Sequence, residues 1–253
     1  MDSVTQAVLG AGVAAAVVPA GQRRKALLAG ALLGTVPDLD GFIDFGGAVE
    51  NFTYHRGFSH SLFVLAPVSV LLWLLARKFW APVKEAPLRW LLAIGLALLT
   101  HPLLDAHTAY GTQLFWPLTV PPTSWATLFI IDPLFTLPLL AAAIMTAFMP
   151  TRRWSKPVLV TALSLSSAYL AWSWAAQATV KRHVYEELAE VGLDGAPVFA
   201  TPTPFNTLLW RVVVQTGDGY LEGFDSLLLE EPEIDFEFYP SDAAALQEAE
   251  DIW

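Results

Sequence analysis

The sequence contains no cysteine. Disulfides and thiolate metal ligands are therefore excluded, and any bound metal must use His, Asp, Glu or water. Zinc, manganese, magnesium and iron suit such ligands. Charge is scarce too, at 15% of residues against about 25% in ordinary soluble domains. With 55% hydrophobic residues, the 253-residue chain has the composition of a polytopic membrane protein. There is no basic face of the kind a nucleic-acid binder needs. No basic region precedes the first apolar stretch, so no cleavable signal peptide is expected. The GxSxG, P-loop and HExxH patterns are missing as well.

The charge that is present is unevenly spread. Residues 186–253 hold sixteen of the twenty-four acids and one base, Arg211. The first 185 residues carry thirteen bases and eight acids. The division implied is a membrane helical part, 1–182, and an acidic extramembrane part, 183–253. Apolar stretches at 4–19 and 26–36 are short for a membrane span, which needs about 20 residues. Gly10, Gly12, Gly30 and Gly34 would let these two pack closely as a hairpin. Further apolar stretches cover 61–76, 90–104, 128–149 and 157–178. The expected fold is mainly α: a polytopic helical bundle of about four long and two short apolar helices. Leu208 to Thr216 and Tyr220 to Leu229 suggest a β-hairpin across Gly217-Asp218-Gly219. Residues 234–239 alternate like a third strand. The tail, 241–253, suggests a short acidic helix.

Bases cluster at 23–25, 77–89 and 152–156, in alternate loops. Loops 37–60 and 106–127 hold one base between them, Arg56. The positive-inside bias then makes the basic loops cytoplasmic and the other loops extracytoplasmic.

Those outer loops hold the chemistry. Asp38, Asp40, Asp44, His55, Arg56 and His60 lie in VPDLDGFIDFGGAVENFTYHRGFSHS, and His101, Asp105 and His107 in THPLLDAH. His101 and Asp105 are four apart, so a helix puts both on one face. His55 and His60 could share a cavity, and Asp38 and Asp40 are two apart and would project alike. Asp132 falls near the same membrane level. Ionisable groups at such depth usually face a cavity, a partner or a metal. Each pair alone suits a structural hydrogen-bond network, and that reading stays open. Arg56 could salt-bridge Asp40 or Asp44, or hold a phosphate or carboxylate bidentately. His107 and His183 suit supporting or structural roles. Ser59, Ser61 and Thr108 suit capping or ligand-holding better than nucleophilic attack.

PDLD, HRGFSHS and HPLLD, with the aromatic loop that follows, resemble the YdjM-like family of membrane-bound proteins assigned as metal-dependent hydrolases. The opening MDSVTQAVLG and the segment TPTPFNTLLWRV are similar to the same family, so the resemblance covers nearly the whole chain. Its matched positions are Asp38, Asp40, His55, Arg56, His60, His101 and Asp105. One departure is Gln6, where the family usually has His. The resemblance implies a multi-pass hydrolase of the cytoplasmic (inner) membrane. A divalent ion, zinc or else manganese or iron, would be held by Asp40, His60, His101 and Asp105. Asp38 or His55 would be a further ligand or general base, and Arg56 would hold an anionic group. The substrate expected is a lipid-linked molecule or phosphoester at the outer face, with the bilayer as partner. The rival reading is a non-catalytic metal-binding membrane protein: a sensor, a transport component or a scaffold.

Overall fold

The computed structural model describes residues 1–193, 195–229 and 234–241. The chain is mostly helical, with one small sheet near its C-terminal end. The helices are α1 (Ser3–Val17), α2 (Arg23–Thr35), α3 (Ala48–Tyr54), α4 (Leu62–Phe79), α5 (Ala81–Glu85), α6 (Pro87–Asp105), α7 (Pro133–Phe148) and α8 (Ser155–Glu190). Short 3₁₀ turns at Pro37–Phe42 and Phe58–His60 carry the polar loop.

Among the described residues, α4, α6 and α8 are long and apolar enough to cross a membrane. α4 has 18 residues, about 27 Å of helix, close to the thickness of a bilayer's hydrocarbon core. Its Phe63, Leu71, Leu74 and Phe79 are exposed, as lipid-facing residues would be. α1 and α7 are shorter apolar helices, of 15 and 16 residues.

α1 is the central helix and packs against α2, α6, α7 and α8. Asp2 caps it, accepting from the Val4 and Thr5 amides. Its contact with α2 is backbone on backbone. A Cβ added at Gly10 would lie 2.3 Å from the Gly30 carbonyl oxygen, and one at Gly30 2.2 Å from that of Gly10. Only glycine allows this approach, the small-residue packing of membrane helices. Asp132 caps α7 through the Leu134 and Phe135 amides and accepts from Tyr169 on α8. It belongs to this clasp and lies outside the polar cluster described below.

α8 runs unbroken past residue 182 to Glu190 and carries the sheet. Strands β1 (Val198–Pro202), β2 (Leu209–Gln215), β3 (Gly219–Ser226) and β4 (Glu237–Pro240) pair antiparallel in that order. Trp210, Val212 and Val214 alternate inward and pack on Val180, Val184 and Leu188 of α8. The hairpin is as expected, with Gly217 and Asp218 in the turn. β1 was not among the expected strands. The third expected strand begins three residues later, at Glu237. The expected acidic helix over 242–253 lies outside the described residues.

Candidate metal centre

The site forms where α1, α2, α4 and α6 end together. The 3₁₀ turn after α2 delivers Asp38 and Asp40. The turn before α4 delivers His60. The last turn of α6 delivers His101 and Asp105. Asp38, His60, His101 and Asp105 converge, each offering one donor atom, with all four atoms within 4.8 Å of one another. His60 Nε2 lies 3.1 Å from His101 Nε2 and 3.2 Å from Asp105 Oδ2. Asp38 Oδ1 lies 3.4 Å from His101 Nε2 and 3.6 Å from His60 Nε2. His101 Nε2 and Asp105 Oδ2 are 3.6 Å apart. His60, His101 and Asp105 are buried, while the Asp38 side chain is 22% exposed.

These distances fit a divalent ion. Nitrogen and oxygen ligands bind zinc at about 2.0–2.2 Å, so a tetrahedron of donors has edges of about 3.3–3.6 Å. The buried Asp105 Oδ2 accepts no hydrogen bond, although two imidazole nitrogens lie within 3.6 Å of it. The Arg56 Nε, 3.2 Å from the same oxygen, compensates it in part, and a metal ion among these donors would do so directly. The far side of each ligand is also set. His101 Nδ1 meets the Gly34 carbonyl at 2.6 Å, which leaves Nε2 as the donor toward the cluster. His60 Nδ1 meets Ser59 Oγ at 2.9 Å, and Ser59 in turn donates to Asp40.

Asp40 therefore lies on the far side of His60, 3.5 Å from its Nδ1. The two aspartates do not project alike. In a 3₁₀ turn each residue rotates the chain by about 120°, so positions two apart diverge. Asp40 also accepts from the Arg56 amide at 2.9 Å. His55 Nδ1 lies 3.0 Å from Asp40 Oδ1, bent out of line for a strong hydrogen bond. His55 is not in the quartet. It lines two cavities, of about 460 and 200 Å³, together with Tyr110.

Arg56 is buried and engaged. Its Nε lies 3.2 Å from Asp105 Oδ2, its Nη1 donates to Thr108, and its guanidinium covers the Tyr110 ring. Its backbone is left-handed, at φ 60°, a conformation costing about 1–3 kcal/mol outside glycine. That turn puts its amide on Asp40 and its side chain on Asp105. Gln6 donates to Asp105 Oδ1 at 2.8 Å and to the His101 carbonyl at 3.2 Å. The Met1 amino group also contacts Asp105 Oδ1. Asp44 binds the Gly46 amide and Asn51, away from the cluster. His107 packs on Trp125 and Trp174, and burial lowers its pKa. His183 lies 3.0 Å from Asp225. Ser59 and Thr108 hold His60 and Arg56, the supporting role expected of them, while the Gly34 carbonyl carried no sequence signal.

Burial alone would raise the Asp38 pKa, but hydrogen bonds from His101 and His60 outweigh it and hold the carboxyl well below the usual range. Asp40 is lowered to about 2, with burial again opposing and His60 and Ser59 prevailing. For His60, burial favours the neutral ring, yet Asp105, Asp38 and Asp40 raise its pKa to about 10. The metal-free cluster thus holds a proton where a cation would sit.

An apolar bundle with three helices able to cross a membrane and an Asp/His quartet at one end has the form of a membrane protein with a possible metal centre. The family described as YdjM inner membrane protein matches residues 1–180, and the chain belongs to it. The chain is also similar to the inner membrane protein YbcI of Escherichia coli K12, 33% identical over 109 residues. That match covers 43% of this chain, and the chain spans 59% of that relative's length. No solved structure matches.

Proposed function

We propose that the protein is a metal-dependent hydrolase of the inner membrane acting on a lipid-borne ester or phosphoester. The observation that carries this reading is the quartet of donor atoms, all within 4.8 Å of one another, one of them a buried carboxylate oxygen with no aligned hydrogen bond. Asp38, His60, His101 and Asp105 would hold the ion, with zinc the best match to two imidazoles and two carboxylates. Bound there, it would supply Lewis-acid polarisation and a water acidic enough to attack at neutral pH.

The chain's own residues do the rest. Asp38, the most exposed of the four, is the ligand able to swing aside for substrate. Asp40 steadies His60 and His55 together, so we assign it to positioning and assign Asp38 to the ion. His55, between the two cavities, serves as general base or acid. Arg56 braces Asp105, with Tyr110 stacked beneath its guanidinium. A lipid-borne substrate is favoured by the rim: Phe42 and Ile43 line the larger cavity, Val49 and Phe52 lie on α3, and all four are exposed. Such residues insert readily at a membrane interface.

Four protein ligands also make a closed tetrahedron, the arrangement of structural metal sites. That favours, as second reading, a non-catalytic metal-binding membrane protein. Hydrolysis assays on metal-loaded protein in lipid micelles separate the two. The hydrolase reading expects turnover of a lipid phosphoester or carboxylic ester, and loss of about 10²-fold or more in His55→Ala with metal retained. Full metal occupancy with no turnover across such substrates would leave the non-catalytic reading.

A further inference from the structure

At the end of the bundle opposite the quartet, two cavities meet at one arginine. The first, about 430 Å³, is an apolar groove between α1, α2 and α7, lined by Val8, Leu27, Leu28, Ala143, Ile144 and Arg24 among others. Leu28 and Ile144 are exposed, so the groove opens sideways, toward lipid. From Arg24 to Ala31 it follows about 10 Å of α2. The second cavity, about 510 Å³, is polar and lies at the helix ends, lined by Arg24, Phe148, Thr151 and Arg152.

Arg24 is fixed at the junction. Its Nε donates to the Ala147 carbonyl at 2.6 Å and its Nη2 to the Phe148 carbonyl at 2.9 Å, closing the last turn of α7. A guanidinium has five N–H donors, so donors remain for a further acceptor. Arg152 is exposed across the basin. The surrounding loops, 18–25, 77–89 and 149–156, hold ten of the fourteen bases and one acid, Glu85, which accepts from Gln22.

We propose that this is a binding site for an anionic phospholipid, with one acyl chain in the groove and the phosphate between Arg24 and Arg152. Apolar groove, fixed arginine and nearly acid-free surround match hydrocarbon and phosphate in that order along one ligand. Basic pockets between membrane helices bind anionic headgroups for this reason. The site is separate from the quartet and does not depend on it.

Native mass spectrometry of the full-length protein in neutral detergent tests it, with phosphatidylglycerol and phosphatidylcholine of identical chains. Phosphatidylglycerol should be retained at least fivefold better. Arg152→Gln and Arg24→Gln should each erase about fivefold of that preference. Arg77→Gln/Lys78→Gln, at the same end but off the groove, should leave it intact. Ala143→Leu, which narrows the groove, should weaken the lipid and not the preference. Arg152→Gln alters only a surface side chain, so it keeps the test sharp if Arg24→Gln misfolds. Equal binding of both lipids, equal loss in the Arg77/Lys78 pair, or full competition by soluble glycerol phosphate would each overturn the proposal.

Discussion

Asp105 is the residue on which the site converges. Gln6, Arg56, the Met1 amino group and two imidazoles surround one carboxylate. Partners behind a metal ligand typically govern affinity by about 10–100-fold. Gln6→Ala should weaken metal binding by that factor without unfolding the protein, as isothermal titration would show. Asp38→Asn should weaken the metal more than Asp40→Asn, because only Asp38 faces both Nε2 atoms. The acid–base behaviour gives a second test. The His60 pKa is raised from 6.5 to about 10 in the metal-free fold. A raised pKa contributes stability below pH 6.5 that is lost as pH climbs through about 10. Metal-free protein should therefore melt at progressively lower temperature across that window. Metal uptake must displace the same proton, so apparent affinity should rise up to about tenfold per pH unit over it. Flat curves for both would show that the cluster holds no such proton on His60.

The short helices matter as much as the long ones. α1 and α2 meet through Gly10, Gly30 and Gly34, and their ends set where Gln6 and Asp38 reach the cluster. A methyl at Gly30 would overlap the Gly10 backbone, which cannot yield as a side chain can. Gly30→Ala should cost about 1–3 kcal/mol and lower metal occupancy with it, read by thermal melting in detergent. Gly21→Ala meets nothing within 4 Å and should change neither. At this scale the sequence was largely legible. Apolar runs gave the helices, and the glycines gave their close pairing. The i, i+4 spacing of His101 and Asp105 put both on one face of α6. That Asp38, and not Asp40, converges with His60, His101 and Asp105 was not legible. It depends on the 3₁₀ turn at Pro37–Phe42, and nothing in PDLD distinguishes that turn from an extended one. β1 was missed because its sequence, ending in Pro202, carries no alternation as clear as that of β2.

For the whole molecule, charge and architecture agree. Ten bases gather at one end, and the quartet and the acidic sheet gather at the other. We expect the basic end to face the cytoplasm. The absence of cysteine makes this simple to test with Asp218→Cys and Arg153→Cys, both exposed positions. An impermeant thiol reagent added to intact cells should label the first and spare the second. The reverse pattern would invert the topology and move the site to the cytoplasmic face. The central claim is that the quartet holds one metal ion, and metal content per chain tests it most directly. Elemental analysis should be run on detergent-purified protein beside His60→Ala, Asp105→Ala and Asp40→Asn. One equivalent of zinc, manganese or iron is expected in the parent protein and in Asp40→Asn, with less than a tenth of that in the other two. No metal in the parent protein, even after incubation with divalent ions, would contradict the account and reduce the quartet to a hydrogen-bond network.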